Sequence, residues 1–309
     1  TLLGVAHEER ELAVSGLSDF PLYLYGALVC FLLQWSIRMI LLNPLASWAL
    51  PNTKKKSREI AKFAQSATEF YVYSFFFFAG LRVCCAQPWI WPSKHWWIGK
   101  LQGSHEFITP SFKFFYLLYG GRYLAQLITI FIEPKRKDFL IQVLHHSTTA
   151  VLVPLSYQYG YVRIGAAVMV LLDPGDPPLH AAKMCKYMAG GDTSSWWQFA
   201  ADRWLEVFAI TFLFTRCGLY PYIVWSAVFE AKGYIDHSQD PGAYLGIYLL
   251  DELVAIALLV VLMILQFWWA WLLLKVVWKT LQTGHAADDR SDDEDDEQDT
   301  ANHATKKRD

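Results

Sequence analysis

The stretch Leu144-His145-His146-Ser147-Thr148-Thr149, continued by Leu152, Ser156-Tyr157, Arg163-Ile164-Gly165, Asp173-Pro174-Gly175-Asp176 and Lys183, decides how this chain folds. Two adjacent histidines lie inside one apolar segment, and two aspartates three apart lie inside the next. A charged side chain at the bilayer centre costs roughly 2.5–3.5 kcal/mol on insertion scales, so ionisable groups at that depth mark function. A short turn near Gln158-Tyr159-Gly160 separates the two segments. Each pair lies about twelve to sixteen residues from that turn, and at about 1.5 Å per residue two antiparallel helices bring both to one depth, roughly 20 Å below it. The spacing predicts a His/Asp cluster buried within a bilayer, with the rest of the chain as its scaffold.

The composition agrees. The chain has 309 residues, 54% of them hydrophobic and 16% aromatic, with 14 Trp. Apolar runs of about twenty residues recur, the length that crosses a bilayer core. Backbone groups in lipid must pair internally, so the spans are expected to be helices. The fold class is therefore an all-α polytopic membrane protein. The net charge of −2 conceals an acidic tail, Asp288 to Glu297, set against basic loops, and implies no affinity for nucleic acid. The 5 cysteines (Cys30, Cys84, Cys85, Cys185, Cys217) have no metal or redox spacing and read as small buried hydrophobes. The chain begins at Thr1, so an N-terminal piece is expected to be missing, and no cleavable signal peptide is evident.

About seven spans are expected: Phe20–Leu42, ending before Asn43-Pro44; Glu69–Ala86; Phe112–Ile132; Phe139–Tyr157; Tyr161–Tyr187; Trp196–Cys217; and Tyr248–Val277. The piece Tyr220–Phe229 is short, and the topology shifts by one if it crosses separately. Trp89, Trp91, Trp96 and Trp97 read as an interfacial aromatic belt. Pro174, Pro177 and Pro178 predict that the fifth span breaks at the aspartates, with Asp176 able to cap the second half. Putting the run Lys54, Lys55, Lys56, Arg58 and Lys62 in the cytosol also places Lys135, Arg136, Lys137, Lys183, Lys186, Lys275 and Lys279 there. Lys94, Lys100 and Lys232 then lie on the opposite face, and the acidic tail is cytosolic. No inverted repeat is visible, which weakens a secondary-transporter reading. The divisions are 1–54 (an N-terminal segment with the first span), 55–280 (a catalytic membrane domain) and 281–309 (a disordered acidic tail).

On the fourth span Gln142, His145, Thr149, Leu152 and Ser156 share one stripe, with His146 about 100° further round. Such groups can simply bond helices together, but His-His facing Asp-x-x-Asp suits a general base or an acyl-accepting nucleophile. Two His and two Asp could also bind a metal. Diiron lipid oxidases need repeated histidine boxes, however, and 9 histidines with a single in-span pair do not supply them. No metal is therefore assigned. Arg122, after Gly120-Gly121, either pairs with a buried acid or meets an anionic group of a ligand. Lys183 and Lys186 read as snorkelling anchors that could also meet an anionic cosubstrate. Ser291, followed by Asp292-Asp293-Glu294, sits in the acidic context of casein-kinase-2-like phosphorylation.

The run His145-His146-x-x-Thr149-x-x-Leu152-x-x-x-Ser156-Tyr157, Arg163-x-Gly165 and Asp173-x-x-Asp176-x-x-Leu179-x-x-x-Lys183 resembles the longevity-assurance motif of ceramide synthases in the TLC membrane family. A looser resemblance covers residues 55–280, including Thr211 to Arg216, and the Asp-Pro-Gly-Asp version with the acidic tail looks fungal. Many animal members carry a histidine before the first aspartate, where Leu172 stands here. The resemblance implies a TLC-type helical bundle enclosing a lipid cavity in the endoplasmic-reticulum membrane. It also implies N-acylation of a sphingoid base such as sphinganine by a fatty acyl-CoA, with acyl-CoA as cosubstrate and no other cofactor. His145, His146, Asp173 and Asp176 would be catalytic, the aspartates orienting and charge-balancing the imidazoles, and Arg122, Thr149, Ser156 and Lys183 would contact substrate. One histidine would deprotonate the amine or carry the acyl group. A homodimer or a small regulatory subunit is a possible partner, and the loop at Ala231–Ala243 would influence chain length. The alternative is a non-enzymatic TLC lipid carrier or sensor, whose relatives commonly lack the paired histidines.

Overall fold

The computed structural model describes residues 13–14, 16–51, 56–98, 107–133, 138–235 and 247–283. Lys54, Lys55, Lys100, Lys135, Arg136, Lys137, most of the Ala231–Ala243 loop and the tail with Ser291 lie outside the described residues.

The described residues form ten α-helices packed as a bundle: α1 (Phe20–Ile37), α2 (Asn43–Ala49), α3 (Lys56–Cys85), α4 (Pro110–Ile132), α5 (Phe139–Gln158), α6 (Val162–Leu172), α7 (Asp176–Ala189), α8 (Trp196–Phe212), α9 (Tyr220–Trp225) and α10 (Ile247–Thr283). A two-residue antiparallel pairing of Ala13–Val14 with Phe107–Ile108 is the sole extended structure among the described residues. Five helical rods are long and apolar enough to cross a membrane: Phe20–Ala49, Pro110–Ile132, Phe139–Gln158, Trp196–Gly233 and Glu252–Lys279. Two further rods complete the bundle. One is α3, whose first half carries Lys56, Arg58, Glu59 and Lys62, and the other is the interrupted pair α6–α7. Outward faces are apolar, with Ile40 at 78% and Trp48 at 84% exposure, as lipid-facing residues must be.

Local chemistry sets the helix ends. Thr109 accepts from the Phe112 N–H at 3.4 Å to open α4, with Pro110 as its first residue. Ser195 accepts from the Gln198 N–H at 3.2 Å to open α8. Gly190, at φ 58°, ends α7 in the left-handed conformation that favours glycine. Gly160, at φ 71°, makes the α5–α6 turn where the sequence places it.

Three expectations are corrected. Asn43-Pro44 does not end the first span: a wider π-type turn at Arg38–Leu42 absorbs the proline, and the helix runs on to Ala49. Tyr220–Phe229 is no separate piece, because similar wide turns at Leu213–Leu219 and Ser226–Glu230 make Trp196–Gly233 one continuous rod. Trp96 and Trp97 are not an exposed belt. They are buried beside α9, with Trp97 Nε1 donating to Ser226 Oγ at 2.9 Å and Ser93 bonded to Tyr222 at 2.7 Å. Arg163 holds this loop by donating to the carbonyls of His95 (2.9 Å) and Ile98 (3.1 Å).

Helices α1 and α4 meet backbone to backbone at Gly121. A Cβ there would lie 2.7 Å from the Ala27 nitrogen, 2.8 Å from the Gly26 carbonyl carbon and 3.0 Å from the Tyr23 oxygen, all backbone atoms that cannot turn aside. Gly121→Val is expected to push α1 outward and destabilise the bundle by about 1–3 kcal/mol, as overpacking does. The thermal midpoint of the detergent-purified variant, compared with wild type, reads this directly.

Candidate functional site

The fifth rod breaks at the aspartates, as its prolines predict. Leu172 ends α6, Asp173–Gly175 form one tight turn, and Asp176 begins α7. Within the turn the Asp176 N–H bonds the Asp173 carbonyl, and Pro177 contributes no N–H. Asp176 does not cap α7, because its carboxylate is taken by an arginine from another rod.

Each aspartate has its own arginine. Asp173 Oδ1 accepts from Arg122 Nη2 at 3.1 Å and from the Tyr123 hydroxyl at 3.4 Å, while Oδ2 accepts from Tyr119. Arg122 is fully buried, and its guanidinium lies 4.5–5.1 Å from the ring centroids of Tyr73, Phe76, Tyr119 and Tyr123. Four aromatic faces thus supply cation–π attraction where water is excluded. Asp176 Oδ2 accepts from Arg216 Nη2 at 2.5 Å. Arg216 Nε and Nη2 also reach the Leu172 carbonyl, at 3.0 and 2.5 Å, and Nη1 reaches Gln266 Oε1 at 3.5 Å. The arginine therefore satisfies a main-chain acceptor at the helix break, as a polar group buried in lipid requires.

The histidines sit at this level on α5. Their rings are 5.2 Å apart and nearly perpendicular, and Trp269 of α10 meets His145 edge-on at 5.1 Å. No hydrogen bond joins either imidazole to an aspartate among the described residues, and both Nδ1 atoms are buried without a partner there. The aspartates balance arginine charges rather than imidazoles.

A cavity runs away from this cluster. Its polar end holds His145, Tyr73, Tyr123, Asp173, Asp176, Arg216 and Gln266. The shaft is apolar: Leu152 and Val153 from α5, Ile164, Val168 and Leu172 from α6, and Ala255, Leu259 and Leu262 from α10. The far end is lined by Trp97, Tyr161, Ala231 and Ile235, with Glu252 beside them. From Glu252 to Gln266 the α10 wall spans roughly 21 Å at about 1.5 Å per residue. Such a space suits a long hydrocarbon chain with a polar head at the cluster.

The sequence-derived candidates divide accordingly. His145, Asp173, Asp176, Thr149 and Ser156 line the cavity. Thr149 donates to the His145 carbonyl at 2.9 Å, and Ser156 shares a 2.6 Å hydrogen bond with Tyr116. His146 is beside His145 but off the wall, and Arg122 is behind Asp173. Lys183 lies about 10 Å further along α7 than Asp176, away from the wall. Among the described residues, no group of three or more His, Cys, Asp or Glu is placed to hold a metal ion. Arg216 and Gln266 were not singled out from the sequence. Arg216 is the lone charged residue and Gln266 the lone polar residue of their apolar runs, and that was the available signal.

Residues 62–275 match the family model of the TLC domain. The chain is 31% identical to Alternaria stem canker resistance protein 1 of Solanum lycopersicum, over 80% of this chain and 79% of that protein. It is 31% identical to ceramide synthase 4 of Bos taurus, over 75% of this chain and 54% of that protein. It is 26% identical to sphingosine N-acyltransferase lag1 of Schizosaccharomyces pombe, over 89% of this chain and 67% of that protein. The chain thus spans only about half the length of the bovine relative.

The buried pairs carry a stability prediction. Arg122→Met leaves the Asp173 carboxylate without its cation and is expected to cost about 3–5 kcal/mol, as breaking a buried ion pair does. The double variant Arg122→Met/Asp173→Asn removes both charges and should recover much of that loss. Denaturant or thermal unfolding in detergent, run as a double-mutant cycle, measures the coupling.

Proposed function

The chain belongs to the TLC-domain family, and on that premise we propose that it is a ceramide synthase, joining the acyl group of a fatty acyl-CoA to the amine of a sphingoid base. The observation that carries the proposal is the His145 imidazole on the wall of a long apolar cavity, beside two neutralised ion pairs. A single-chain lipid fills the shaft and leaves its reactive carbonyl at the imidazole.

The geometry supports a division of labour. His145 meets the acyl carbonyl, either carrying the acyl group on a ring nitrogen or deprotonating the amine, and His146 packs the ring in place. Asp173 and Asp176 position Arg122 and Arg216 and keep the pocket electrically balanced. Thr149 and Ser156 contact the chains, and Lys183 stands on the approach of the anionic cosubstrate. His145 lies roughly 9 Å along α5 from Phe139, the end next to the basic Lys135–Lys137 run, so the hydrophilic CoA remains at that mouth. The same orientation puts the acidic tail with Ser291 in the cytosol of an endoplasmic-reticulum protein. The catalytic membrane domain is taken as 55–280, between an N-terminal segment and that tail. A homodimer or a regulatory subunit would be added to this unit.

Purified protein with sphinganine and a panel of acyl-CoAs tests the reading. Wild type should form ceramide, and folded His145→Ala should lose at least about 10²-fold in kcat, the scale of a removed acid–base or nucleophilic group. His146→Ala should lose less. If the acyl group is carried, labelled acyl-CoA without amine should mark wild type and leave His145→Ala unmarked. Folded wild type that makes no ceramide, in detergent or with membranes added, would hand the chain to the lipid-carrier reading.

The shaft generates a second prediction. A Cβ on Gly165 would lie 2.0 Å from the Tyr116 hydroxyl and 3.2 Å from Ser156 Oγ, at a level roughly 16 Å beyond His145 along α5. Gly165→Ala should raise KM several-fold for acyl chains that reach this level while leaving shorter ones unchanged. Competition between long and short acyl-CoAs in one reaction would expose the shift.

A further inference from the structure

We infer that Gln266 is a catalytic residue of this acyl transfer, its side-chain amide donating a hydrogen bond to the acyl carbonyl oxygen as that oxygen becomes negative. The inference rests on the acyl-transfer reading above and adds a residue to it.

Gln266 is fully buried and stands on the cavity wall. Its Oε1 faces Arg216 Nη1 at 3.5 Å. Arginine has donors and no acceptor, so the amide must turn its oxygen to the guanidinium and its NH₂ the other way. That Nε2 is buried without a hydrogen-bond partner among the described residues. An unsatisfied buried donor costs about 1–3 kcal/mol, and the pairing of Oε1 with Arg216 leaves that cost on Nε2 uncompensated. The group is explained by a ligand oxygen that reaches it when the cavity is filled.

Its position says which oxygen. Trp269, three residues on and so one turn away on the same face of α10, packs edge-on against His145. Leu262, one turn in the other direction, belongs to the apolar shaft. The amide therefore stands at the junction of shaft and imidazole, where hydrocarbon ends and the carbonyl begins. Arg216 is poorly suited to the role, because its Nε and Nη2 are engaged by Leu172 and Asp176 and its Nη1 faces Gln266.

In the carried-acyl route the donor acts twice. A ring nitrogen of His145 attacks the thioester carbonyl, and the C=O electron pair moves to oxygen, where the Gln266 N–H meets it. Collapse breaks the C–S bond, CoA leaves as thiolate, and the imidazole N–H proton passes to it. The neutral amine of the sphingoid base then attacks the acyl-imidazole, and the same oxygen again takes the charge. Collapse breaks the C–N(imidazole) bond, and the ring recovers a proton from the former amine, leaving amide and neutral histidine. If His145 is instead the base, the oxyanion forms once, at the same place.

The test compares Gln266→Met, which keeps the length without a donor, and Gln266→Glu, which can still pair with Arg216. Both are measured beside wild type and His145→Ala in one preparation with sphinganine and acyl-CoA. A lost oxyanion donor lowers kcat by about 10²–10³. That fall, with both KM values within about twofold and Gln266→Met still folded by its thermal transition, is the expected result. A kcat within about threefold of wild type in either folded variant, or a loss confined to KM, overturns the role of Gln266. If wild type is active and His145→Ala is not, such a result overturns this inference alone, whereas inactive wild type removes the acyl-transfer reading with it. Should Gln266→Met fail to fold, Gln266→Glu gives the same kcat comparison.

Discussion

Two guanidinium–carboxylate pairs, one fully buried and the other on the cavity wall, hold the break in the fifth rod and with it the cavity. Neither aspartate could remain ionised alone at that depth, and neither arginine could either. Because Arg122 comes from α4 and Arg216 from the turn after α8, the pairs tie three rods at one level. The two solutions differ. Arg122 is held by one carboxylate and four aromatic faces, whereas Arg216 also takes the Leu172 carbonyl. One pair is packing; the other repairs the backbone.

That repair explains why a proline-rich interruption is tolerated in an apolar bundle. The turn at Asp173–Gly175 gives up part of the helical ladder, and the Arg216 guanidinium replaces what is lost. Asp176 then serves as the arginine's counter-ion rather than as a helix cap. Its partner therefore lies 40 residues away in sequence instead of two or three.

The separations decide what could be read beforehand. The common depth of His145 and Asp173 follows from rise per residue and the Gly160 turn, both local quantities, and the break at Pro174 and Pro177 is likewise local. Arg216 and Gln266 depend on which rods lie side by side, a relation between residues 50 apart that hydropathy does not carry. The end of the first span at Asn43-Pro44 is overturned for a related reason. A proline signals a missing N–H, but not whether a wider turn nearby will absorb it and let the rod continue. The burial of Trp96 and Trp97 depends on Arg163 and Ser226 fixing their loop over α9, again a long-range matter.

The charge pairing bears on the chemistry in one more way. A carboxylate hydrogen-bonded to an imidazole makes a base; a carboxylate committed to arginine leaves the imidazole to its own lone pair. In this site both aspartates are committed, and His145 is held by packing against His146 and Trp269. A ring fixed by its faces keeps a nitrogen free for carbon, and in the proposed reaction the shaft brings a lipid carbonyl to it. That arrangement favours acyl carriage over proton abstraction as the role of His145 in the proposed reaction. The wall facing the imidazole then needs a neutral donor for the developing oxyanion, since an unpaired cation there would upset the balance that the two ion pairs maintain. An amide turned outward by an arginine that has no acceptor to offer meets that requirement without adding charge.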